Sequence, residues 1–467
     1  MSFGADGYLT RMQIINAAER TLDLQYSIFR GDDSGRLVTD AVLRAADHGV
    51  RVRLLLDDGE SIAGDEQITS LSAHPAIEIR FYNPFTYRGH SLTLKALDFM
   101  LNYSRLNYRM HNKMIVADNS VAMIGGRNIG DQYFQVDAAE QYADNDVFAI
   151  GPIVKQLSAS FDEFWNHALS IPSEALSTRA SSRTALKGHR ELTQDEPAEV
   201  AADGIDFFKR VASGEPFKGM IDGRLPLVWA YAQMISDSPD KKKVEDGTIV
   251  GRLMRRPVAA ASMAVQSELL MITPYLVPGE EGMQIFRDLR QRDVRVRILT
   301  NSLTSSTVTL AHSGYMGYRV PLLEEGVELY EIRALLGNIR GSGQTAAMSR
   351  HGTYSLHAKM FVFDRKQIFV GSMNFDQRSM HLNTEIGLLI DSPELGEELA
   401  RRFEAMAQPA NAYQVLLQPN KHGKGQHLIW RTLESEQPND HQKEPARSVW
   451  QRFLVSLLAL LPLDSEL

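Results

Sequence analysis

Two stretches 246 residues apart carry the same pattern, and that repeat limits what the chain can fold into. "MHNKMIVADNSVAMIGGRNIGDQY" sets His111, Lys113, Asp118, Gly125 and Asn128 on one grid. "YSLHAKMFVFDRKQIFVGSMNFDQRS" sets His357, Lys359, Asp364, Gly371 and Asn374 on the same grid. The step from histidine to asparagine is 17 positions in both. A motif duplicated with its follow-up residues marks an internal repeat, so two related halves are required. Side chains alternate along a strand, which puts His357, Lys359, Phe361 and Phe363 on one face. A histidine and a lysine at one end of an apolar face are poorly explained by packing. A single such segment would also fit a half-exposed edge strand; the second copy argues against that.

The repeat extends beyond the motifs. "RTLDLQYSIFR" reads as a strand, "GRLVTDAVLRAADHG" as an amphipathic helix, and "VRVRLLLDD" and "PAIEIRFYNPF" as two further strands. "SELLMITPYLVP", "EGMQIFRDLRQRD", "VRVRILTNS" and "GVELYEIR" follow in the same order in the second half. Strands alternating with helices imply parallel β-α-β units. Each half then adds its motif strand, a turn at Asp118 or Asp364, and a return strand. The expected fold is therefore α/β: two pseudo-twofold-related halves with mixed, largely parallel sheets flanked by helices, plus a C-terminal tail. The halves are expected at 1–172 and 261–409. A linker with connecting helices falls between them at 173–260, and a hairpin with an amphipathic helix at 410–467.

With 43% apolar residues the chain can bury a sizeable core. A net charge of −8 has the wrong sign for a broad nucleic-acid footprint, and the absence of cysteine excludes thiolate chemistry. The opening "MSFGADGYLTRMQIINAAERT" lacks a basic n-region and an apolar h-region, so no signal peptide is expected. No stretch reaches the roughly 18 to 20 apolar residues of a transmembrane helix. The protein is expected in solution or on a membrane surface. "DSPDKKKVEDG" reads as a solvated turn. The last helix, with Trp450, Phe453, Leu454, Leu457 and Leu458, is expected to pack on the body rather than to bind lipid.

Two His/Lys pairs in one site suit displacement at an anionic phosphodiester. Lys113 and Lys359 would neutralise the non-bridging oxygens. In-line transfer needs a nucleophile on one side and a leaving-group acid on the other, and one imidazole per half supplies both within reach of one phosphate. Asn128 and Asn374 are candidate amide donors to the phosphoryl oxygens. Gly125, Gly126, Gly371 and Ser372 would let the backbone approach closely. "NDVFAI" and "TEIGLL" look equivalent, which pairs Asp146 with Glu385 as carboxylates that orient the imidazoles. Asp118 and Asp364 sit at turns and point away from the His/Lys face by parity, which favours a structural role. Metal binding is disfavoured, because no histidine spacing resembles a ligand set.

These residues resemble the phospholipase D superfamily, whose members use phosphohistidine intermediates without metal or organic cofactor. Within it, "RTLDLQYSIF", "SRLNYRMHNK", "GYRVPLLEEGVELYEI" and "SLHAKMFVFD" look like bacterial cardiolipin synthases of the type without paired N-terminal transmembrane helices. The resemblance spans nearly the whole chain. It implies a catalytic set of His111, Lys113, Asp118, His357, Lys359 and Asp364. It also implies transfer of a phosphatidyl group from phosphatidylglycerol or phosphatidylethanolamine to phosphatidylglycerol, with His111 as nucleophile. The setting would be the bacterial inner membrane surface or the cytoplasm. The rival readings are a phospholipase D hydrolase, a nuclease, and a non-catalytic lipid-binding scaffold. The first motif departs from the pattern: "GGRNIGDQY" offers no counterpart to Arg378 and Ser379. The first helix begins almost at residue 1, which leaves room for an upstream segment outside this chain.

Overall fold

The computed structural model describes residues 1, 4–59, 70–87, 89, 91–136, 140–176, 227–334, 353–420, 425–434 and 437–461. Most of the expected linker lies outside these residues. In the first half, β1 (Thr21–Tyr26), β2 (Arg51–Asp57) and β3 (Ile77–Tyr82) run parallel. The motif strand β4 (Met114–Ala117) lies antiparallel to β1 and turns into β5 (Val121–Gly125). β6 (Glu140–Ala143), β7 (Asp146–Ile150) and β8 (Ser170–Pro172) complete this half. Its sheet has the order β7-β5-β4-β1-β2-β3-β8.

The second half repeats the arrangement. β10 (Glu268–Ile272), β11 (Arg295–Asn301) and β12 (Glu328–Ile332) are parallel, and β14 (Met360–Phe363) and β15 (Gln367–Gly371) form the motif hairpin. β16 (Ile386–Asp391) takes the place of β7, and β9 (Tyr231–Ser236), from the expected linker, adds an edge beyond it. β13 (Thr353–Leu356) leaves this sheet and pairs with β6 of the first half. The tail is not a separate body: β17 (Ala412–Pro419), β18 (Gln426–Glu434) and β19 (Gln437–His441) extend the second sheet from β12.

Helices form where apolar residues recur at helical spacing. Helix Asp33–Asp47 starts at Asp32, whose carboxylate accepts the Gly35 N–H, and buries Val38, Ala41, Val42 and Ala45. Its counterpart Gly279–Gln291 buries Met283, Phe286 and Leu289. Between the two halves a shared core joins Met114 and Ile124 to Leu270, Met360 and Val370. Motif strands buried on both faces explain why β4 and β14 read as continuous apolar runs.

Two expectations about surface segments are corrected. In "DSPDKKKVEDG", Lys241 is buried and donates to Asp237 and to the Ser379 and Asn383 carbonyls. The last helix, Val449–Leu458, turns Trp450, Phe453, Leu454 and Leu457 outward and buries only Val455. Its orientation is fixed by polar contacts, Arg447 to the Thr304 carbonyl and Gln451 to the Leu303 carbonyl, which leave the apolar face pointing away.

Asp118 and Asp364 occupy left-handed turn positions, with φ of 54° and 51°. The Asp118 carboxylate accepts the N–H groups of Glu19, Arg20 and Thr21, each at 2.8 Å. Asp364 accepts those of Gln266, Ser267 and Glu268. Each aspartate therefore clips the motif hairpin to the start of β1 or β10. Partial burial raises both carboxyls, but at Asp118 the three N–H donors, and at Asp364 the Ser267 hydroxyl with three N–H donors, outweigh it and hold them below 3.8. A depressed carboxyl contributes stability above its unfolded pKa and loses it as pH falls through the folded value. Asp118→Ala and Asp364→Ala should each cost about 1–3 kcal/mol in denaturant titrations at pH 7. The deficit should shrink below about pH 3.8. Variants that melt like the parent yet turn over no substrate would place these residues in the chemistry instead.

Candidate active site

Both histidines sit just ahead of their motif strands, and each segment is held by the opposite half. The His111 N–H donates to the Thr384 carbonyl at 2.9 Å, and Thr384 donates back to Arg109. The His357 N–H donates to the Ala143 carbonyl at 2.8 Å, continuing the β13–β6 pairing. The imidazoles cross in the same way. His111 Nδ1 lies 3.0 Å from both Glu385 oxygens, and His357 Nδ1 lies 2.6 Å from Asp144 Oδ2. First-half rings also enclose His357: Tyr142 stacks on it and Tyr133 meets it edge-on, at centroid distances of 5.6 and 5.1 Å.

Asp146 is not an imidazole partner. It is buried in a salt bridge with Arg11 at 2.9 Å and Arg127 at 2.7 Å, which hold its carboxyl far below the usual range although burial pushes it up. Sheet register identifies the true counterpart. Gly125 stands opposite Asp146 on β7, as Gly371 stands opposite Gly387 on β16. The residue two before Asp146 is Asp144, and the residue two before Gly387 is Glu385. A slip of two residues keeps every side chain on its own face, so alternation alone could not expose the error.

Each lysine folds back to its own motif. Lys113 Nζ donates to the His111 carbonyl, while Lys359 Nζ donates to the His357 carbonyl and lies 2.9 and 3.1 Å from its ring nitrogens. Burial and then Lys113, Lys359 and Arg378 hold His111 well below 6.5. Burial and Lys359 bring His357 to about 3 against the pull of Asp144, and Lys113 adds to the effect. Both ammoniums thus act on both imidazoles, so the two motifs share one electrostatic environment. Burial lifts Glu385 to about 7 and lowers Lys359 to about 8. A neutral imidazole that donates from Nδ1 to a carboxylate keeps the Nε2 lone pair for the site.

The remaining expected residues divide. Asn374 is buried, and its Oδ1, an acceptor rather than the expected donor, has no hydrogen-bond partner among the described residues. Asn128 instead accepts the Ile28 N–H and donates to Tyr133. A Cβ on Gly126 would lie 2.2 Å from Asp144 Oδ1, so this glycine makes room for the carboxylate. Its counterpart Ser372 donates its hydroxyl to Glu385 Oε2, and Ser379 donates to Oε1 at 2.8 Å. Sequence reasoning missed Asp144, Tyr133, Tyr142 and Lys241. None of them had a readable signal: even for Asp144 the spacing becomes decisive only once the fold pairs Gly125 with Asp146.

Two α/β halves meeting at paired His/Lys motifs, with each imidazole backed by a carboxylate, make the architecture of a phospholipase D-superfamily enzyme. The family model described as "Cardiolipin synthase, PLD-like domain" matches residues 12–165 and 260–407, and the chain belongs to that family as a cardiolipin synthase-like enzyme. It is 35% identical to cardiolipin synthase C of Escherichia coli (strain K12), over 98% of this chain and 93% of that protein. It is 24% identical to a cardiolipin synthase of Alkalihalophilus pseudofirmus, over 82% of this chain and 60% of that protein. The crystal structure of phosphatidylserine synthase from Haemophilus influenzae Rd KW20 shares the fold. Its TM-score is 0.58 at 14% identity, over 89% of this chain and 86% of that one.

Asp144 and Asp146 separate by experiment. Asp144→Asn should keep the fold and lower turnover by about 10²-fold or more, because it leaves His357 without its orienting charge. Asp146→Asn strands two buried guanidiniums and should destabilise by about 3–5 kcal/mol in denaturant titrations. The reverse pattern would restore Asp146 as the orienting residue.

Proposed function

We propose that this chain is a phosphatidyltransferase that makes cardiolipin through a phosphohistidine intermediate. The observation that carries the reading is the crossed pair of imidazole–carboxylate contacts under two lysines that bear on both rings. A phosphodiester anion between Lys113 and Lys359 compensates the ammoniums that depress the imidazoles, so imidazolium becomes tenable once substrate binds. His111 Nε2 attacks the phosphorus of phosphatidylglycerol or phosphatidylethanolamine. The bond to the headgroup oxygen breaks, and His357 protonates the departing alkoxide. A free hydroxyl of phosphatidylglycerol then attacks the phosphohistidine, losing its proton to His357 and returning His111 to the neutral form.

The donors and the acceptor follow from the family resemblance and from a relative whose printed name is cardiolipin synthase C. Among the described residues no helix is long and apolar enough to cross a membrane. The substrates proposed are membrane lipids, and the enzyme would meet them at the membrane surface. Mass spectrometry of lipids from purified enzyme and phosphatidylglycerol vesicles tests the product. Cardiolipin is expected, and phosphatidic acid alone would make the protein a hydrolase.

The histidines should differ in kind. His111→Asn should abolish both lipid turnover and any trapped phosphoryl-enzyme. His357→Asn should still load from a p-nitrophenyl phosphodiester, whose leaving group needs no proton, and then stall with a burst of p-nitrophenol. The contrast between natural and activated substrates should reach about 10²–10⁴-fold, the usual worth of general acid–base help. A burst from His111→Asn and none from His357→Asn would reverse the assignment.

A further inference from the structure

Among the described residues, helices Leu92–Leu101 and Val449–Leu458 present apolar residues to solvent. Helix Leu92–Leu101 is inverted: its buried residue is Asp98, whose carboxylate accepts the Tyr87 N–H and the Asn102 side chain. Leu92, Met100 and Leu101 are 74–80% exposed. Helix Val449–Leu458 exposes Trp450 and Phe453 by 78% and 59%, and Leu460 just beyond it by 79%. A soluble helix turns such residues inward, and contiguous exposed apolar surface marks an interaction site.

Each helix is linked, through the chain or through hydrogen bonds, to a segment that carries one of the two histidines. The segment after Leu92–Leu101 leads directly into His111. Asn83 holds it through the Arg105 and Tyr108 carbonyls, and Arg109 pairs with Asp57 at the end of β2. Asn107 in that segment accepts from Arg378 of the second motif. Helix Val449–Leu458 rests on the loop after β11, through the Leu303 and Thr304 carbonyls. That loop holds the residues before His357: Asn301 exchanges hydrogen bonds with Leu356, and the Ser355 hydroxyl donates to the Ser305 carbonyl. Each exposed helix is thus tied to the segment that presents one imidazole.

Charge favours one kind of partner. Residues 91–106 carry Lys95 and Arg105 against Asp98, and residues 445–461 carry Arg447 and Arg452 with no acid. Both segments are net positive in a chain whose net charge is −8. Arg447 and Arg452 spend their hydrogen bonds on carbonyls rather than carboxylates. Apolar side chains beside a tryptophan and cations fit the boundary between headgroups and acyl chains of an anionic bilayer.

We infer that helices Leu92–Leu101 and Val449–Leu458 dock the enzyme on an anionic lipid surface and bring the site down to it. The inference deepens the proposed phosphatidyl transfer and rests on it for the position of the substrate. The test is sedimentation of the full chain with vesicles of phosphatidylglycerol and phosphatidylcholine. Met100→Ser/Leu101→Ser and Trp450→Ser/Phe453→Ser should each lower the partition constant by about tenfold or more, with melting temperature unchanged. Turnover of vesicle lipid should fall in parallel, while turnover of a soluble p-nitrophenyl phosphodiester should hold. Subtracting the Trp450→Phe emission spectrum should isolate a blue shift of Trp450 on vesicle addition, so a poorly folding serine variant leaves the test intact. Unchanged partition would overturn the inference, as would no blue shift, or a change confined to oligomeric state. Vesicle binding by a parent that transfers no phosphatidyl group would instead overturn the proposed reaction and leave the docking surface standing.

Discussion

Each imidazole takes its carboxylate from the other half, and the rest of the structure is arranged around that exchange. His111 meets Glu385 and His357 meets Asp144 only because backbone pairing also crosses, through Thr384 with His111 and through β13 with β6. Neither half alone has an oriented imidazole. A free half would expose the apolar strand faces of β4, β5, β14 and β15, which now form the shared core. Duplication therefore produced one composite site rather than two copies of a site, and the core holding the halves together also sets the geometry for chemistry.

The charges around the two motifs are buried and come from both halves. Lys113, Lys359 and Lys241 are buried, and burial of a cation costs several kcal/mol unless carboxylates and hydrogen bonds offset it. Asp144, Glu385 and Asp237 do part of this, and Lys241 reaches the site only at one remove: its partner Asp237 accepts the Glu385 N–H. Within this buried set of lysines and carboxylates, burial and the neighbouring ammoniums hold both imidazoles below their ordinary range. The overall charge of −8 gives no hint of these buried lysines.

The repeat made much of the molecule legible. β1 to β3 and β10 to β12 follow from apolar runs alternating with helical periodicity, and the hairpins at Asp118 and Asp364 follow from the grid of the motifs. Asp118 and Asp364 were read as turn residues from parity, and their carboxylates do bond backbone, though at strand starts almost a hundred residues away. Three features were illegible for physical reasons. The two-residue slip between Asp144 and Asp146 preserves strand alternation, so register across β5 was needed to resolve it. Lys241 lies in a run of three lysines, and only its tertiary partners distinguish it from its exposed neighbours. The last helix has ordinary amphipathic spacing, and spacing cannot say whether the apolar face meets protein or another medium.

The most direct test of a single shared site is a crystal structure of the chain with vanadate, a mimic of phosphorus in mid-transfer. The account predicts one vanadate per chain, bonded to Nε2 of His111, hydrogen-bonded to Nε2 of His357, and contacted by both Lys113 and Lys359. Two vanadates in separate places, each held by one His/Lys pair, would contradict it.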